Sequence, residues 1–168
     1  MQQPASLPHV ARNDDAPAYW FLDILWIVLI GAEASGGRCT VMEQLMPQGA
    51  GPSPHVHPFH DEWFYVMEGA LDLEVDGRRA AAGAGAYVFV PRNAVHAFKV
   101  VSPTARVLNG FTPAAMDQLV TGLARPAERR ELPPKGLDTD PAKLAMFANN
   151  YWGMTTEFPH ARQAPARS

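Results

Sequence analysis

Apolar residues fall in short runs from Trp20 to about Thr112, separated by glycine, proline and Asp-Gly breaks. The runs are "FLDILWIVLI", "CTVMEQLM", "EWFYVM", "LDLEV", "RRAAA", "AYVFV", "HAFKVV" and "ARVLNGF". Spacing of about ten residues between such runs predicts an all-β sandwich or barrel. The first run is apolar almost throughout, which predicts a strand buried on both faces. Asp76-Gly77 in "VDGRR" suits a tight hairpin. Strand–helix alternation is missing, so a parallel α/β sheet is disfavoured. Beyond Pro113 the period changes: Met116, Leu119, Val120 and Leu123 have helical spacing, with Thr112 as the predicted cap. A Pro-rich connector, "RPAERRELPPKGLD", leads to a second predicted helix, "DPAKLAMFANNYWGM", capped by Asp140 with Pro141 at its first position. The predicted organisation is a flexible arm over 1–17, a barrel over 18–112, a C-terminal helical extension over 113–155 and a flexible tail over 156–168.

Composition narrows the class. The chain has 168 residues, 47% hydrophobic and 18% charged, enough for one folded domain with a real core. Its net charge is −3, and Arg129-Arg130 is balanced by Glu128 and Glu131, so no nucleic-acid partner is expected. Cys39 is the single cysteine, which excludes an internal disulfide and fits a reducing cytoplasm. It is expected as a buried, inert thiol on a strand. The run "YWFLDILWIVLIGA" is broken by Asp23 and falls short of the ~20 residues a spanning helix needs. "MQQPASLPHV" has no basic start followed by an apolar block. A soluble, cytoplasmic protein is expected.

Candidate chemistry gathers in "HVHPFHDE", residues 55–62, which holds three of the chain's six histidines and two acids. Alternate residues of an extended strand share a face, so His55 and His57 would project together, as a chelating pair requires. A turn through Pro58 to Asp61 would return Glu62 beside them. If Glu62 points inward, so do Phe64 and Val66. Parity adds Leu71, Leu73, Phe98 and Val100 as pocket-wall candidates. Trp63 and Tyr65 would then lie on the opposite face, between sheets or at a dimer contact. A fourth ligand is offered by His96 in "FVPRNAVHAF", after a turn where Asn93 tolerates a left-handed backbone. His60 has the opposite parity to His57 and is expected to point away. Asp61 reads as a turn residue, Glu68 as part of a hairpin before Gly69, and His9 as solvated. Against the metal reading stands a metal-free barrel with hydrogen-bonded histidines.

These residues resemble the cupin superfamily. Its first motif runs Gly, five residues, His-x-His, three or four residues, Glu, six residues, Gly; here it reads Gly49-"AGPSP"-His55-Val56-His57-"PFHD"-Glu62-"WFYVME"-Gly69. The second motif reads Gly85-"AYVFV"-Pro91-Arg92-Asn93-"AV"-His96, with Asn93 in place of a glycine and Val100 in place of an asparagine. The flanks are similar to small bacterial cupins described as quercetin-dioxygenase-like. The resemblance implies a jelly-roll barrel (a double-stranded β-helix) with one divalent transition metal, Fe, Ni, Mn, Cu or Zn, held by His55, His57, Glu62 and His96. It implies an oxygenase acting with O₂ on a small aromatic or enolisable substrate. Glu62 would be first a ligand and then the catalytic base, and Phe64, Val66, Leu73 and Phe98 would form the substrate pocket. Two other classes remain open: a metal-dependent isomerase, cyclase or lyase using the ion as Lewis acid, and a non-enzymatic binding module. A homodimer is expected, because the apolar "FLDILWIVLI" strand needs cover that exchange between subunits would supply.

Overall fold

The computed structural model describes residues 8–135, Leu137 and Ala142. In chain order the elements are β1 (Ala18–Phe21), β2 (Ile24–Ile30), the short helix α1 (Ala32–Ser35), β3 (Thr40–Pro47), β4 (Asp61–Glu68), β5 (Ala70–Val75) and β6 (Arg78–Gly83). They continue with β7 (Tyr87–Val90), β8 (His96–Val100), β9 (Thr104–Thr112), helix α2 (Met116–Leu123) and β10 (Arg125–Pro126). Among the described residues all strand pairings are antiparallel and form two sheets, ordered β10-β1-β2-β3-β9-β4-β7 and β6-β5-β8. The alternation read from the sequence is the reason: one side chain in two from β3, β4, β5 and β9 enters the space between the sheets. Met42, Met46, Phe64, Val66, Leu71, Val100 and Val107 meet there, fully buried. Each such side chain contributes roughly 1.5–3 kcal/mol by leaving water.

Several expectations change in the folded chain. "FLDILWIVLI" is not one strand but a hairpin. Leu22 and Asp23 form its two-residue turn with φ of 54° and 60°, and Phe21 pairs with Ile24. Positive φ at both central residues matches the twist of the flanking strands, which here outweighs the steric cost to leucine. The predicted turn at Asp76-Gly77 has the same form, with φ of 47° and 76°. Thr112 does not cap α2; it ends β9, and the helix begins after Ala115 without a side-chain cap. Cys39 is half-buried and lies just before β3 rather than within it. The second predicted helix, from Asp140, lies outside the described residues.

The apolar β2 strand is covered within its own chain. Its alternate residues Ile24 and Trp26 enter the main core, while Leu25 and Ile27 join Trp20 and Ala16 in a second cluster on the outer face, packed by Leu45, Ala127 and Leu137. Trp20 Nε1 donates to the Glu131 carbonyl (2.8 Å) and Arg130 donates to the Ala16 carbonyl (2.7 Å), tying the segment around Arg130 and Glu131 to that face. The described part of the N-terminal arm runs beside the same strand. Val28 N–H donates to the Pro17 carbonyl, and the exposed His9 ring bonds to the Leu29 carbonyl. Among the described residues, no helix is long and apolar enough to cross a membrane.

Candidate metal centre

The inward row of β4 starts at Glu62 and continues through Phe64 and Val66, all buried. At one end of the barrel Glu62 meets His96, the first residue of β8, and the segment before β4 that carries His55 and His57. Backbone hydrogen bonds set these segments in place. His55 and His96 exchange N–H···O bonds of 2.9 Å in both directions, and Asn93 N–H donates to the His57 carbonyl (3.0 Å). The second bond needs the left-handed Asn93, whose φ is 68°. A further tie was not apparent in the sequence. Asp61 opens β4 and accepts from the Arg92 backbone N–H and from Nε and Nη2 of its guanidinium, at 2.9, 3.1 and 2.7 Å. Asp61 is therefore a pin between the two histidine-bearing motifs, and this pairing holds its carboxyl down at about 2.

His55, His57, Glu62 and His96 are each 3–5% exposed, and one donor atom from each lies within 4.8 Å of the others. The set suits a divalent transition ion, with three imidazoles and one carboxylate. The ring orientations fit as well. A carbonyl only accepts, so His55 Nδ1–H donates to Ser53 (2.9 Å) and His96 Nδ1–H donates to Ala94 (3.0 Å). Each tautomer leaves Nε2 to serve as ligand, the arrangement by which outer partners orient metal-binding histidines. His60 is half-buried and outside the cluster, as its parity predicted.

The electrostatics follow from burial opposed by close pairing. Burial, with the neighbouring charge of His96, pushes His55 down to about 3. Burial also opposes ionisation of Glu62, but its hydrogen bonds with His57 and His96 prevail and hold its carboxyl below the ordinary range. For His96, burial works against the proton, yet the bond to Glu62 Oε2 (2.9 Å) and the charge there hold its pKa above the usual value. A metal ion entering this site must displace that proton.

The structure adds residues that sequence parity did not single out. Asn109 on β9 is 1% exposed and donates to Glu62 Oε1 (2.9 Å), and Gln44 on β3 donates to Asn109 Oδ1 (2.9 Å). Phe111 packs edge-on against the His57 ring at 5.5 Å. Of the expected pocket wall, Phe64, Val66, Leu71, Leu73 and Val100 are buried in the main core, with Phe98 partly buried against it and edge-on to Phe64 at 5.2 Å. Trp63 lies on the outer face over Gly110, stacked on Tyr87 at 6.0 Å. Tyr65, Tyr87 and Phe89 stay exposed on that face.

Comparison with known proteins agrees with this geometry. The family model described as "Cupin domain" matches residues 41–109. A quercetin 2,3-dioxygenase of Bacillus subtilis is 24% identical over 137 residues, which is 80% of this chain and 41% of the relative. A protein of Streptomyces cyaneus named polyketide synthase CurC is 32% identical over 72 residues, 42% of this chain and 47% of the relative. The chain thus spans less than half the length of either. Among solved structures, KdgF from Halomonas sp. superposes with a TM-score of 0.59 at 20% identity, covering 67% of this chain and 99% of that one. A predicted oxalate decarboxylase of Thermotoga maritima gives 0.58 at 16% identity, covering 62% and 98%. At such identities these two speak for the fold alone. Residues 41–109 are a cupin domain, and the chain that carries them is distantly similar to quercetin 2,3-dioxygenase.

Proposed function

We propose that the chain is a metal-dependent oxygenase acting on a small aromatic or enolisable molecule. The observation that carries the reading is the convergence of four buried donor atoms within 4.8 Å, with two ring tautomers preset by backbone carbonyls. The distant similarity to a quercetin dioxygenase favours oxygen chemistry over other uses of such a site. His55, His57, Glu62 and His96 hold the ion, which when bound supplies oxygen reactivity and acidifies a substrate hydroxyl. The Glu62 carboxylate takes that proton at Oε2, for which it must loosen from the ion. Phe64, Val66, Leu73 and Phe98 give an apolar wall that suits an aromatic ring and keeps water out.

Elemental analysis of protein purified without a chelator, followed by a substrate screen in an oxygen electrode, tests this. About one metal per chain is expected, lost in His57→Ala and His96→Ala but kept in His60→Ala. Full occupancy in the first two variants would sink the ligand set. Turnover without oxygen uptake would instead make the protein a Lewis-acid isomerase, cyclase or lyase.

A further inference from the structure

The interior row of β3 reads Met42, Gln44, Met46, an amide between two thioethers in the packed space between the sheets. Gln44 is 2% exposed and Asn109 1%. A core built for packing alone has no use for either amide. Their hydrogen bonds show a direction. An ionised Glu62 offers only acceptors, so Asn109 must turn its NH₂ group toward it. Asn109 Nδ2 donates to Glu62 Oε1 at 2.9 Å and to the carbonyl of the next residue, Trp63, at 3.1 Å. Asn109 Oδ1 then faces the other way and needs a donor, which Gln44 Nε2 supplies at 2.9 Å. Gln44 Oε1 is left buried with no hydrogen-bond partner. The arrangement satisfies Glu62 and leaves the unmet polar atom at the far end.

Resting on the metal reading above, we propose that Asn109 and Gln44 are positioning residues that lock the Glu62 carboxylate. Asn109 occupies Oε1, and Oε2 alone is presented to the ion between His57 and His96, at 3.2 and 2.9 Å from their Nε2 atoms. Glu62 is thereby a one-oxygen ligand. The bond from Asn109 to the Trp63 carbonyl ties its amide to the backbone of β4, and Gln44 fixes which way round that amide sits.

The test is Co²⁺ titration, read by visible absorption, of wild type, Asn109→Leu, Gln44→Met and the double variant. Loss of an outer partner typically weakens metal binding by about 10- to 100-fold. Asn109→Leu is expected in that range, with shifted absorption bands as the freed carboxylate turns both oxygens to the ion. Gln44→Met should move affinity and bands the same way by less, and it carries the test if Asn109→Leu does not fold. The double variant removes both amides together, so its metal-free melting temperature should stay within a few degrees of wild type while its affinity stays low. Wild-type affinity and bands in the folded double variant would overturn the positioning role. A wild-type protein that binds no Co²⁺ would instead overturn the metal reading beneath it.

Discussion

Acidifying the metal-free protein should remove stability through His55. The ring is 3% exposed, and its pKa in the fold is about 3. An unfolded histidine titrates near 6.5. Between those values the unfolded chain binds a proton that the folded chain does not, so the His55 contribution is complete above about pH 6.5 and shrinks as pH falls toward 3. One pKa unit corresponds to about 1.4 kcal/mol, so acidification from about pH 6.5 to 5 should cost about 2 kcal/mol. His96 and Glu62 add little slope in that window. The raised pKa of His96 gives stability that is fully present below about 6.5 and is lost only as pH rises through the folded value. The depressed Glu62 gives stability that is lost only below the ordinary carboxylate range. His60, lowered by burial, slopes in the same direction as His55. A His55→Gln comparison subtracts it. The assay is urea unfolding of chelator-treated wild type and variant at several pH values between 7 and 5. The wild type should lose about 2 kcal/mol more than the variant across the window. Superimposable profiles would refute the argument, because they would mean that His55 charges in the fold as freely as in the unfolded chain.

For Glu62→Gln, turnover on metal-saturated protein should fall by about 10²- to 10⁴-fold, since an amide cannot take the substrate proton. Near-normal kcat at full occupancy would leave Glu62 a ligand only. In Gly110→Ala the new Cβ would stand 2.1 Å from the Trp63 ring atoms, so the indole must leave its place over β9. A loss of roughly 1–3 kcal/mol in denaturant unfolding is expected, and unchanged stability would show that the indole moves freely. A homodimer is proposed through the outer face at the β7 edge, where Tyr87 and Phe89 of the edge strand and Tyr65 of the neighbouring β4 stay exposed. Light scattering that gave a monomer mass at micromolar concentration would count decisively against it.

Features set by nearest neighbours were legible in the residues themselves. His55 and His57 share a face because extended backbone alternates, and the same parity sets Glu62 inward and His60 outside the cluster. Asp76-Gly77 and Asn93 accept positive φ for local steric reasons, so their turns could be read before any fold was known. Parity also misled where it stood alone: "FLDILWIVLI" is apolar almost throughout because both faces are covered, and Asp23 by itself did not mark Leu22-Asp23 as a turn. The remaining features needed strands distant in sequence to lie side by side. Asn109 reaches Glu62 only because β9 pairs with β4 so that Asn109 lies opposite Phe64, next along the inward row. Gln44 reaches Asn109 only through the register of β3 on β9. The Arg92–Asp61 pin likewise joins the start of β4 to a turn 31 residues further on. Pairing between distant strands is chosen by the burial of the whole core, a sum over both sheets that no single stretch of sequence contains.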